Sequence, residues 1–268
     1  MEAGPADGPL IVLLHGFPEG HLAWRHQIGP LAEAGFRVIA PDQRGYGGSD
    51  KPAGADAYRI DVLAQDILGL ADSVGRRRFC IVGHDWGGLV AWWLATHHDD
   101  RIERAAILNA PNPSAIGRYI ARSFTQRLKS AYVLFFQIPA LPEALLRAGN
   151  FRQLIATLRK TGRPGTFTDD VLVDYRRLWS MPGALTGMLN WYRALPKRPA
   201  PRAGERVRVP TLVLWGARDN FLEQGLADGS LALCDQGRLV KLPDGTHWLQ
   251  HEEPAAINRD LIGFFRPA

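Results

Sequence analysis

The sequence predicts an α/β fold: a mostly parallel sheet flanked by helices, with an all-helical segment inserted into it. Three observations carry this. Short apolar runs of strand length alternate with helix-periodic segments up to residue 112 and again after residue 205, the pattern of βαβ units. Between them, from about Pro113 to Gly204, no strand pattern stands out, and helix-like segments are punctuated by Pro and Gly. The 268 residues, 46% hydrophobic and 22% charged, can also supply a large core of ordinary globular composition. The expected organisation is therefore a core in two parts, residues 1–112 and 205–268, with a helical cap, residues 113–204, between them.

Met1–Pro9 is rich in Gly and Pro and is expected to be a loop. Leu10–Leu14 is a continuous apolar run, hence a buried strand, and ends in the breaker-dense His15–Gly20. A helix is expected from about Ala23 to Ala34, stopped by Gly35, then a strand at Phe36–Ala40 and the turn-rich Pro41–Asp50. Ile60–Val74 places apolar residues at helical spacing. Phe79–Val82 reads as a strand, Leu89–His97 as a helix and Ile102–Leu108 as a strand ended by Asn109–Pro113. Inside the cap, helical segments are expected at Phe124–Ile138, Pro142–Ala148, Phe151–Leu158, Thr168–Trp179 and Leu185–Ala194. The linker Pro196–Gly204 returns the chain to strands at Thr211–Trp215 and Arg238–Leu242 and a closing helix at Pro254–Phe265.

The chemistry is concentrated around Phe79–Gly88. Gly83-His84-Asp85-Trp86-Gly87 has the small-x-nucleophile-x-small spacing of a sharp strand-to-helix turn, which closes only around tiny neighbours. The usual occupant of the centre is serine; here it is Asp85. A carboxylate is already an anion at neutral pH and needs no base to attack. It cannot form a hydrolysable acyl-enzyme by the usual esterase route, so the expected chemistry is alkyl transfer followed by hydrolysis. A Gly-rich turn with Asp85 as helix cap is the structural alternative.

In parallel sheets ligands gather at the carboxyl ends of the strands, where His15, Asp42, Asp85 and Asn109 fall. Asp219 and His247 follow later strands, giving the order nucleophile, acid, histidine. Histidine is the natural base for activating water near neutral pH, and Asp219 would hold its tautomer. A turn Asp and a capping His are the plainer readings of these two. Backbone N–H groups of Phe17 and Trp86 are placed to form an oxyanion hole. His15, His84 and His251 are read as structural.

Other function classes are disfavoured. The net charge of +5 is carried largely by scattered Arg, and the one tight run, Arg76-Arg77-Arg78, precedes a strand as a solvated loop, so no nucleic-acid partner is expected. Cys80 and Cys234 suggest neither a disulfide framework nor a metal site, and no cofactor is implied. No signal-like segment or run of about 18 apolar residues occurs. The expectation is a cytoplasmic protein without membrane insertion.

Seven motifs together resemble the epoxide hydrolases of the α/β-hydrolase fold. They are H-G-F-P-E (His15–Glu19), D-Q-R-G-Y-G-G-S-D (Asp42–Asp50), G-H-D-W-G-G (Gly83–Gly88), F-F-Q-I-P (Phe135–Pro139), L-N-W-Y-R (Leu189–Arg193), W-G-A-R-D (Trp215–Asp219) and G-T-H-W (Gly245–Trp248). The resemblance spans nearly the whole chain. It implies hydrolysis of a small lipophilic epoxide to a vicinal diol through an alkyl ester on Asp85, with His247–Asp219 activating water. It also implies a cap tyrosine, Tyr192, that protonates the leaving oxygen. Phe17, Trp86, Phe135 and Trp248 are expected to line the substrate pocket.

Two departures qualify the resemblance. Many members carry a second tyrosine where this chain has Phe135; Tyr132, three residues earlier on the same helical face, is expected to supply that phenol. Two strands that usually precede the H-G-x-P strand are shortened or missing. The strand Phe36–Ala40 would then be an uncovered edge, of the kind that pairs with another chain, which would admit a homodimer. A haloalkane or haloacid dehalogenase would use the same Asp-His-Asp set. However, the His15–Glu19 loop lacks the Asn typical of haloalkane dehalogenases, and Trp86 stands where fluoroacetate dehalogenases place Arg. A non-catalytic ligand-binding member of the fold is the remaining alternative.

Overall fold

The apolar runs become a seven-stranded sheet in the computed structural model, which describes residues 1–197, 199 and 205–266. The strands are β1 (Glu2–Ala3), β2 (Leu10–Leu14), β3 (Arg37–Ile39), β4 (Phe79–His84), β5 (Ile102–Leu108), β6 (Thr211–Gly216) and β7 (Gly237–Leu242). Their spatial order is β1-β3-β2-β4-β5-β6-β7. Every pairing except the antiparallel β1–β3 is parallel. β2, β4 and β6 are buried along their whole length, which explains why they read as unbroken apolar runs rather than alternating ones.

Alternation survives in where the side chains go. Ile11, Leu13, Val38, Cys80, Val82, Ala106 and Leu108 face one layer, packed with α1 (Ile28–Glu33) and the closing helix Pro254–Phe265. Val12, Leu14, Ile81, Ala105, Ile107 and Val213 face the other, packed with α2 (Ile60–Ser73) and α3 (Trp86–His97). Between β5 and β6 the chain forms six α-helices among the described residues: α4 (Pro113–Arg122), α5 (Phe124–Lys129), α6 (Tyr132–Phe135), α7 (Leu141–Thr161), α8 (Asp169–Trp179) and α9 (Ala184–Arg193). After β6 come α10 (Gly225–Leu231), α11 (Leu249–Glu252) and α12 (Pro254–Phe265).

Several elements differ from the sequence expectation for local reasons. The helix expected from Ala23 to Ala34 is a 3-10 turn at His21–Trp24 followed by α1. Pro30 is tolerated only in a first turn, so an α-helix containing it must begin just before it. α4 was not expected; Asn112 caps it, its Oδ1 accepting the Ser114 N–H at 2.9 Å, with Pro113 in the first turn. Phe124–Ile138 divides into α5 and α6. α7 carries a kink at Ala148–Phe151, where Gly149, Asn150 and Phe151 take positive φ. That kink separates the two helical segments expected there.

The edge expectation needs correction. Met1–Pro9 is not all loop: Glu2 and Ala3 pair with Ile39 and Val38, so the Phe36–Ala40 edge is covered. The Met1 ammonium donates to the Ala40 carbonyl at 3.0 Å, and Arg37 Nε donates to Glu2 Oε1 at 2.8 Å. A two-residue strand thus covers this edge, and β3 offers no free ladder for a dimer. Of the linker expected at Pro196–Gly204, residue 198 and residues 200–204 lie outside the described residues. Among the described residues no helix is long and apolar enough to cross a membrane.

Candidate active site

The turn from β4 into α3 places Asp85 above the sheet. Its backbone, φ 50° and ψ −118°, lies outside the ordinary wells for a side-chain-bearing residue. The turn can close because its neighbours lack side chains. A Cβ on Gly83 would lie 2.3 Å from the Gly87 carbonyl oxygen, and one on Gly87 would lie 2.2 Å from that of Leu14. The Phe17 N–H donates to Asp85 Oδ1 at 2.9 Å. Trp86 opens α3, so its N–H is one of those for which a helix supplies no internal partner.

Asp85 Oδ2 lies 3.6 Å from His247 Nε2, an ion-pair distance too long for a direct hydrogen bond. On its other side His247 Nδ1 meets Asp219 Oδ2 at 2.7 Å. Burial alone would raise the Asp219 pKa. His247, the Phe221 N–H at 2.7 Å on Oδ1 and the Asn109 amide at 2.6 Å on Oδ2 overcome it and hold the carboxyl below its usual range. Burial alone would lower the His247 pKa. The Asp219 carboxylate, joined by Asp85, overcomes this and holds the imidazole above its usual range. The resting site therefore favours an imidazolium between two carboxylates.

In the sequence Asn109 stands at a strand end with no role of its own. In the fold its Oδ1 accepts the Gly216 N–H at 2.9 Å while its amide donates to Asp219, so it orients the acid across the β5–β6 boundary. His84 is buried beneath His247, its Nε2 2.8 Å from the His247 carbonyl oxygen. Glu19 of H-G-F-P-E is also fully buried. It accepts from the Tyr175 hydroxyl at 2.6 Å and the Gln250 amide at 3.0 Å and pairs with His251 at 2.6 Å. These contacts tie α8 to the core and agree with structural readings of His84 and His251.

Two phenols close the site from the cap. The motifs that carry them brace each other: Gln137 Nε2 donates to the Tyr192 carbonyl at 2.9 Å, and Arg193 Nε donates to the Phe136 carbonyl at 3.1 Å. Arg193 also grips Glu143 through both carboxylate oxygens, at 2.6 and 2.9 Å. Trp191 Nε1 donates to the Arg44 carbonyl at 2.9 Å, anchoring α9 to the Asp42–Asp50 loop. The Tyr132 and Tyr192 rings stand 5.9 Å apart, centroid to centroid. Burial, then the Asp85 carboxylate, raises the Tyr132 pKa; burial, Tyr132 and Asp85 raise that of Tyr192. Both phenols keep their protons at neutral pH.

Asp85, His247, Tyr132 and Tyr192 all line one cavity of about 240 Å³. Phe17, Phe135 and Trp248, expected in the substrate pocket, line it too, together with Phe136 and Phe221, which the sequence did not single out. Trp86 lines instead a neighbouring cavity of about 110 Å³, which shares Asp85, Tyr132, Tyr192 and Phe221 with the first. Its indole packs edge-to-face on Tyr192 at 4.9 Å.

A model of the alpha/beta hydrolase fold family matches residues 9–254. The AB hydrolase superfamily protein YfhM of Bacillus subtilis (strain 168) is 44% identical over 264 residues, spanning 98% of this chain and 92% of its own. Epoxide hydrolase 4 of Mus musculus is 38% identical over 272 residues, 99% of this chain and 75% of its own. The chain belongs to the epoxide hydrolase family of the α/β-hydrolase fold. A crystal structure of Bacillus megaterium epoxide hydrolase in complex with an inhibitor has a TM-score of 0.90 to this chain. It is 28% identical and covers 98% of this chain and 95% of its own. The likeness therefore takes in the sheet and the helical insertion alike.

Proposed function

We propose that the protein hydrolyses a lipophilic epoxide to a vicinal diol in two steps through an ester on Asp85. The observation that carries the reading is the shared cavity: a carboxylate on the elbow, a His–Asp pair beside it and two proton-bearing phenols facing it. Phe17 occupies Asp85 Oδ1, which leaves Oδ2 to attack a ring carbon. The ring C–O bond breaks as Tyr192, with Tyr132, donates a proton to the departing oxygen. The product is a hydroxyalkyl ester. Water, deprotonated by His247, then attacks the carboxyl carbon of Asp85. The N–H groups of Phe17 and Trp86 stabilise the oxyanion, and the diol leaves.

The electrostatics time the second step. Alkylation converts the Asp85 carboxylate into a neutral ester and removes one of the charges that hold the proton on His247. The imidazole, still paired with Asp219, then holds its proton less tightly at the stage that needs a base.

A single turnover in heavy-oxygen water tests the route. The label is expected in Asp85 and not in the first diol released, because the diol carries away an oxygen that began on Asp85. Label in the first diol would mean direct attack by water. For the acids, Tyr192→Phe is expected to lower kcat about 100-fold and Tyr132→Phe about 10-fold, with the double variant near 10⁴-fold. Unchanged turnover in Tyr132→Phe would leave Tyr192 as sole acid. A dehalogenase reading has no comparable use for two phenols facing the carboxylate; halide release without diol formation would restore it.

A further inference from the structure

We propose that the outer face of the cap docks on anionic phospholipid, so that the protein meets its substrate at a membrane surface. Phe124, Leu128, Leu134, Ile138, Leu141 and Leu145 are 66, 61, 75, 43, 47 and 45% exposed. Only Met1 and Val173 join them as exposed large hydrophobics among the described residues. Six such side chains within 22 consecutive residues are more than the scattered apolar exposure of an ordinary surface. Phe124 and Leu128, and again Leu141 and Leu145, stand one helical turn apart on α5 and α7. The inner side of the same stretch supplies Tyr132, Phe135, Phe136 and Leu146 to the 240 Å³ cavity. One short segment thus separates the apolar strip from the site.

Charge identifies the occupant. Residues 113–204 carry 15 Lys and Arg against four Asp and Glu, while the rest of the chain carries 17 against 23. Between Glu103 and Asp169 the sole acidic residue is Glu143, and Arg193 holds it at 2.6 Å. Arg122, Arg127, Arg147 and Arg152, within or close beside the same stretch of sequence, are exposed, the Arg127 guanidinium lying over the Phe124 ring. An apolar strip flanked by cations suits a negatively charged bilayer, into whose interface apolar side chains sink while basic ones meet headgroups. The acidic core would be repelled by the same surface, which orients the approach. A second copy of the chain fits poorly, because a two-fold pairing through this face would set cation against cation. No helix need cross the bilayer.

The test uses the intact protein and vesicles, and its readout does not depend on the reaction catalysed. Flotation with vesicles of phosphatidylcholine alone or mixed equally with phosphatidylglycerol should show at least about tenfold more binding to the anionic ones, lost in about 0.5 M salt. Leu128→Glu/Leu134→Glu should cut that binding about tenfold while leaving turnover of a small water-soluble epoxide unchanged. Arg122→Gln/Arg127→Gln/Arg147→Gln, which keeps the apolar strip, should do likewise and decides the matter if the first variant does not fold. Binding no stronger than to neutral vesicles, or binding that survives both variants, overturns the proposal. So does a wild-type dimer in sedimentation that the Leu variant splits, since the strip would then be a self-interface.

Discussion

Asp85→Asn is expected to lower kcat/KM for epoxide opening by about 10⁴–10⁶-fold, or about 5–8 kcal/mol of transition-state stabilisation. The substitution keeps the shape of the side chain and an oxygen to accept the Phe17 N–H, so the elbow should close as before. What it removes is the negative charge, and a neutral amide is a feeble nucleophile toward a ring carbon. Diol formation measured chromatographically, with circular dichroism to check the fold, reads the effect. Residual activity above about a hundredth of wild type would show that water opens the ring directly, with Asp85 serving only as a charge. His247 adds a second expectation. With Asp85 neutral, one of the two carboxylates that raise its pKa is gone, so the imidazole should titrate lower in the variant than in the wild type.

The elbow was legible because its requirements are local: a buried strand, two glycines that a Cβ would block, and a helix, all within a few residues. Of the inserted helices, α7 to α9 were legible through periodicity, down to the break at Ala148–Phe151, where Gly149 and Asn150 tolerate positive φ, while α4 and the division of α5 from α6 were not. What escaped depends on partners far along the chain. β1 is two residues long and has no periodicity to read; it exists because the β3 edge is there to pair with it. Asn109 gains a role only because β5 and β6 are neighbours in the sheet, which brings it to Asp219, 110 positions away. Phe221 and Phe136 reach the cavity through the way the cap folds over the strand ends, which no spacing rule encodes. Trp86 follows the sequence reading as the first residue of α3, but it lines the smaller cavity and not the larger one, its indole packed edge-to-face against Tyr192 and Trp191.

His247→Gln is expected to stop the reaction half-way. Asp85 remains ionised and free to attack, so the first step should proceed. Without an imidazole the ester has no base to activate water, and diol release should fall about 10³–10⁴-fold. Mass spectrometry should therefore find the protein heavier by one substrate, the addition lying on the peptide that contains Asp85. An unmodified protein after prolonged incubation with epoxide would sink the two-step route. The wild type should show the same arrest reversibly with pH. Hydrolysis of the ester needs neutral imidazole, and the His247 pKa is raised, so the base is lost as pH falls and recovered as pH rises. Samples quenched in the steady state should hold more ester at low pH than at high pH. The alkylation rate, which needs Asp85 and a proton on a phenol but no neutral imidazole, should not follow that titration. Both phenol pKa values are shifted upward, so the acid side of the first step survives well into the alkaline range. The two steps thus separate along the pH axis because different groups govern them. An ester fraction that rose with pH would place the base somewhere other than His247.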